Sequence, residues 1–132
     1  MSALLVFLGS GLGGVARWLL AGWIGGKAGP GFPWGTLVVN GTGSFLIGLI
    51  ATLTGPEGRL AAPLVVRQFF MLGFLGGYTT FSSFSLQTLQ LFEAGQWARA
   101  GANVVGSVVL CLLAVALGHA LALALNSGRG TG

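Results

Sequence analysis

Four long apolar stretches predict an all-α membrane protein of four transmembrane helices, the third of them broken. Three observations carry that reading. Only 6% of the 132 residues are charged and 54% are hydrophobic, with a mean hydropathy of +0.88; a soluble domain carries about 25% charged residues. Residues 28–56, 68–92 and 100–128 hold no charged side chain, and each run exceeds the roughly 20 residues that cross a hydrocarbon core about 30 Å thick. Within the third stretch, Gly76-Gly77 followed by Tyr78-Thr79-Thr80 is poor helix material. This composition excludes an ordinary soluble enzyme and a disordered tail. It also excludes a nucleic-acid binder, because the pI of about 10.8 comes from scattered cations and not from a basic run.

The spans fall at about 3–24, 34–54, 64–91 and 99–126, within a single domain, 1–132. The first is broken only by Arg17. It lacks a positive leading region, and Arg17 stands where a signal peptide's apolar core should run on, so it reads as a span. Short connectors separate the spans: 25–33 with Lys27, 55–63 with Glu57 and Arg59, and 92–98 with Glu93. Small residues four apart, Gly9/Gly13, Gly22/Gly26, Gly73/Gly77 and Ala102/Gly106, offer close helix contacts. Cys111 stands alone, so it forms no intramolecular disulfide and reads as a small buried residue.

Charge gives almost no orientation. Four spans place both termini and the second connector on one side, with Arg59, Arg67 and Arg129; the other side has Lys27 and Arg99, plus Arg17 if it snorkels outward. The positive-inside rule acts on such differences, and here they nearly vanish. Insertion in both senses would make an antiparallel dual-topology homodimer possible, with its two-fold axis in the membrane plane. Four helices also make a thin wall for any pathway.

No Asp, Glu or Lys lies inside a span; Arg17, Arg67 and His119 lie towards span ends. No Ser/His/Asp set or carboxylate pair is present, so no catalysis is expected. Gly9-Ser-Gly-Leu-Gly-Gly14 matches G-x-G-x-x-G, but without a preceding strand it reads as packing glycine. What the spans hold is neutral and polar. Asn40 and Ser44 share one face of the second; Thr79, Thr80, Ser82, Ser83, Ser85, Gln87 and Thr88 crowd the third; Asn103, Ser107 and Cys111 align on the fourth. Two readings stay open: hydrogen bonds that hold the bundle together, or a narrow wet path whose donors solvate a small anion. A break near residues 76–80 would free carbonyls suited to a hard cation. It would also start a half-helix near Phe81, its positive end at mid-membrane. Phe81 and Phe84 either fill space or turn their partly positive ring edges to an anion.

Three segments match a known pattern. Gly13-Gly-Val-Ala-Arg17-Trp18, Gly35-Thr-Leu-Val-Val-Asn40-Gly-Thr-Gly-Ser44-Phe45-Leu-Ile-Gly48 and Gly73-Phe-Leu-Gly76-Gly77-Tyr-Thr79-Thr80-Phe81-Ser82-Ser83-Phe84-Ser85 make the chain resemble the CrcB/Fluc family of bacterial fluoride channels along nearly its whole length. The resemblance implies an antiparallel homodimer with two pores, each built from both subunits. It implies passive, selective export of fluoride across the bacterial plasma (inner) membrane, protecting the cell from fluoride. Asn40 would line the pore, Phe81 and Phe84 would face fluoride, and Ser82, Ser83 and Ser107 would form the polar track. Arg17 would sit near a vestibule. The carbonyls of Gly76 and Thr79 from both subunits would hold a structural Na⁺ that is not transported. Tyr78 and Gln87 depart from the family pattern, where the resemblance implies a smaller or aliphatic residue and a Glu. The alternative is a small four-helix proton-coupled multidrug exporter, which matches in size but needs an intramembrane carboxylate. A third reading is a purely structural membrane protein.

Overall fold

The computed structural model describes residues 2–128, and every regular element among them is a helix. Helix α1 (Ser2–Ala28), α2 (Trp34–Leu53) and α6 (Trp97–Ser127) are each long and apolar enough to cross a membrane. Between α2 and α6 the chain runs in pieces. A rod begins as α3 (Leu64–Gln68), widens into a π-helical stretch (Phe69–Leu75) and ends as α4 (Gly76–Tyr78). Thr79 and Thr80 are extended, and α5 (Phe81–Glu93) follows. The expected break is therefore present, two residues past the glycine pair, and α5 starts at the expected Phe81.

Helix α1 runs a turn beyond the expected end, so Lys27 belongs to its last turn, where a cation complements the helix dipole. Gly29 then stops it with φ +81°, a conformation that glycine adopts freely. Gly95 (φ +71°) ends α5 in the same way. At the opposite end, the Arg59 backbone N–H donates to Asn126 Oδ1 (2.8 Å), and its guanidinium reaches the Leu125 carbonyl (3.4 Å). The second connector is thereby tied to the end of α6. Arg129, counted above on this side, lies outside the described residues.

Burial is inverted relative to a soluble protein. Val39, Leu75 and Tyr78 form a small buried cluster, while Phe7, Trp18 and Leu112 stand mostly exposed. Lipid tails are as apolar as leucine, so burial of apolar area does not drive these helices together; close backbone approach does. Gly9 and Gly13 of α1 face Gly73 and Gly77 of the rod. A Cβ on Gly9 would lie 2.8 Å from the Phe69 carbonyl oxygen, one on Gly13 would overlap the Phe74 carbonyl, and one on Gly77 the Ser10 carbonyl. Gly48 against Val115 and Gly118 against Phe45 do the same between α2 and α6. Two expected pairs make no such approach: Gly22, Gly26 and Gly106 meet nothing within 4 Å.

Aromatic residues gather at one end. Trp23, Trp34 and Trp97 are all exposed there. The Lys27 ammonium lies 5.4 Å from the Trp23 ring, and Phe92 stacks on Trp97 at 5.2 Å. The Arg99 guanidinium donates to the Gly31 carbonyl at 3.1 Å, which joins the two connectors of this end.

Replacing Gly13 by Val should lower stability by about 1–3 kcal/mol, the usual cost of overpacking. Gly26→Ala, in open space, should not lower it. Thermal unfolding in detergent distinguishes the two; equal losses would show that close approach of α1 to the rod is not what holds them.

Candidate functional site

The site is built around the break. In an unbroken α-helix the Thr80 N–H would donate to the Gly76 carbonyl. Here it donates to Asn40 Oδ1 at 2.7 Å, and Asn40 Nδ2 donates to the Thr80 carbonyl at 2.9 Å. The carboxamide thus meets both backbone groups of one extended residue, as a neighbouring strand would. Thr79 (φ −81°, ψ 157°) and Thr80 (φ −152°, ψ 116°) are β-branched and suit this conformation. The Thr80 side chain then caps α5: Oγ1 accepts from the Ser83 N–H (3.1 Å) and donates to Ser83 Oγ (3.0 Å).

A groove of about 400 Å³ opens beside the clamp. Asn40 and Ser44 line it from α2, Gly76, Thr79 and Thr80 from the break, Phe81 and Phe84 from α5, and Ser107 and Cys111 from α6. The two phenyl centroids are 5.3 Å apart at 47°. Phe84 is buried at 9% exposure, whereas Phe81 is 78% exposed. Below them a buried polar file runs along α6: Ser107 Oγ donates to Asn103 Oδ1 (3.4 Å), and Asn103 Nδ2 donates to Thr88 Oγ1 (2.9 Å). A second cavity of about 420 Å³ lies at the tryptophan-rich end, lined in part by Thr36, Gln87, Gln90 and Gln96. Gln87 Oε1 is buried without a partner among the described residues. No acid lines either cavity.

Of the residues singled out from sequence, Asn40, Gly76, Thr79, Phe81, Phe84 and Ser107 come together at the groove. Ser82 and Ser83 do not line it; they surround the Thr80 hydroxyl. Arg17 points inward, with Nη1 3.4 Å from the Thr79 carbonyl oxygen. Thr80 was overlooked as a site residue, although a Thr three positions before Ser83 at a helix start is a capping signal. Cys111, read as a small buried residue, is half-buried on the groove wall.

A hard cation would find only uncharged oxygen here. Among the described residues no three His, Cys, Asp or Glu cluster. The Gly76 carbonyl has lost its helical donor to Asn40, and Gly76 is exposed. The Thr79 carbonyl keeps only the long Arg17 contact. The pair fits an oxygen-liganded cation in chemistry but supplies too few ligands alone. The Arg17 charge opposes a cation at Thr79.

The family model described as CrcB-like protein, Camphor Resistance (CrcB), matches residues 4–119. The chain belongs to the CrcB family. Relatives of the same length share half or more of its residues. A fluoride-specific ion channel FluC of Opitutus terrae is 59% identical over 128 residues, covering 97% of each chain. That of Rhodospirillum rubrum is 57% identical over 128 residues, 97% of this chain and 99% of its own. That of Methylocella silvestris is 52% identical over 130 residues, 98% and 99% of the two. With CrcB membership and three membrane-capable helices, the protein is an integral membrane protein that crosses the bilayer more than once.

Asn40→Asp leaves an acceptor for the Thr80 N–H but sets a carboxylate against the Thr80 carbonyl. The loss should be about 1–3 kcal/mol, typical of an unpaired buried acceptor. It should shrink towards acid pH, where the neutral carboxylic acid can again donate. Unfolding midpoints across pH check this, and a loss that grows on acidification would contradict the clamp.

Proposed function

We propose that this protein is a fluoride-specific channel that lets fluoride leave the cytoplasm passively across the bacterial inner membrane. The observation that carries the reading is the uncharged groove beside the Asn40–Thr80 clamp. Fluoride is small and strongly hydrated, so a path must replace its water with close donors. The Asn40 amide nitrogen has two hydrogens, of which one serves Thr80 and one is free for the groove. Ser44 adds a hydroxyl, Ser107 a second that would turn its hydrogen from Asn103 to the anion, and Phe81 and Phe84 add ring edges. None of these is a fixed charge, so an anion is held weakly enough to move on. Arg17, within reach of the Thr79 carbonyl, draws anions towards the break. The names of the FluC relatives support the same substrate. No bond is made or broken, and the protein is a channel and not an enzyme.

The working unit in this reading is an antiparallel homodimer of four-span protomers, the third span being the broken rod and α5 together. The groove is open on the protomer's surface, and a second copy would close it. The Gly76 and Thr79 carbonyls of both copies would then hold a structural sodium ion, which supplies positive charge and fastens the two breaks together. The proton-coupled exporter lacks its essential group, since Glu57 and Glu93 are the only acids in the chain.

Purified protein in liposomes should release fluoride down its gradient without a pH gradient and leave chloride inside. Fluoride that stays in the lumen ends this reading. Arg59→Cys, on the second connector, should be labelled by an impermeant thiol reagent from each face of the membrane in roughly equal halves, because the charge bias is so small. Labelling from one face alone would rule out the antiparallel assembly.

A further inference from the structure

We infer that Tyr78 is a positioning residue: by donating its phenol O–H to Thr42, it fixes the backbone of the break against α2. Tyr78 is the chain's one tyrosine. It is 7% exposed and sits in the buried cluster with Val39 and Leu75. A phenol buried among apolar groups needs a partner. Its oxygen lies 2.8 Å from Thr42 Oγ1. Thr42 has a single hydroxyl hydrogen, directed at the Val38 carbonyl at 2.8 Å, so its lone pair is left to accept from Tyr78. The ring is held on two further sides. It stacks on Phe74 (centroids 6.0 Å, 9°), and a Cβ on Gly43 would lie 3.2 Å from one of its edge carbons.

Helix α2 therefore grips the break at neighbouring points. Asn40 holds the Thr80 backbone, Thr42 holds the Tyr78 phenol, and Gly43 makes room for the Thr79 methyl. Thr79 lies between two residues anchored to the same helix. Its peptide cannot turn without breaking one anchor or the other, and its carbonyl is held within reach of Arg17 as a result. The phenol acts through this backbone and touches no part of the groove itself.

The test uses the whole protein in detergent and in liposomes. Tyr78→Phe keeps the ring and removes only the O–H. Hydrogen exchange at the Thr79 and Thr80 amides should quicken by about tenfold, as expected of a local opening, while the amides of α1 and α6 keep their rates. Thr42→Val should produce the same change, the double variant no more than either, and Thr42→Ser should restore the wild-type rate. Fluoride efflux should fall in Tyr78→Phe and Thr42→Val and be normal in Thr42→Ser. Unchanged exchange at Thr79 and Thr80 in Tyr78→Phe would overturn the inference. So would independent, multiplying effects of the two substitutions, or faster exchange throughout the chain. The flux arm rests on the channel reading. If the wild type moves no fluoride while the exchange coupling holds, the channel reading fails and the role of Tyr78 stands.

Discussion

Two hydrogen bonds between the Asn40 carboxamide and the Thr80 backbone make the rest of the site achievable in a membrane. Without water, an interrupted helix must find other partners for the groups it frees. Asn40 satisfies the N–H and the carbonyl of Thr80 at 2.7 and 2.9 Å. That leaves the Gly76 carbonyl without its helical donor and begins α5 at the groove. One side chain from another helix thus permits extended backbone at depth, an unengaged carbonyl and a helix start in the same place.

The bundle around this clamp is held by contact and not by burial. Its few buried hydrophobic residues contrast with the many exposed leucines and valines, as suits a chain solvated by lipid. Helix α1 meets the rod backbone to backbone at Gly9, Gly13, Gly73 and Gly77. Rigidity there matters because Arg17, on the same helix, reaches the Thr79 carbonyl. Packing along α1 and geometry at the break are one problem, solved by the absence of side chains on one face and a long cationic side chain a turn further on.

Local patterns made much of this legible. The apolar runs marked the helices, and Gly-Gly-Tyr-Thr-Thr marked the break. Within that stretch Gly76 and Gly77 stay helical, and Gly77 makes the close contact expected of the Gly73/Gly77 pair, since Ser10 passes over it. The extended residues are the two threonines. The partner of the break was not legible, since Asn40 and Thr80 are far apart in the chain and only the fold brings them together. Small residues four apart look alike in sequence, so Gly22/Gly26 could not be told from Gly9/Gly13; only the latter pair faces another helix within the protomer. The π-helical stretch left no signal either, because Phe-Phe-Met-Leu-Gly-Phe-Leu is equally apolar in either helical form.

That wide stretch reads as an α-helix with one amino acid too many. Shortening the chain by one position between 69 and 72 would let the coil tighten to its ordinary pitch, with both flanks still in phase. The same deletion just past the stretch, at Gly76, would swing Gly77 away from Ser10 by about 100°, the angle between successive residues. The bulge is therefore a slack segment, where the chain can lose a residue while the register of the rod against α1 is kept.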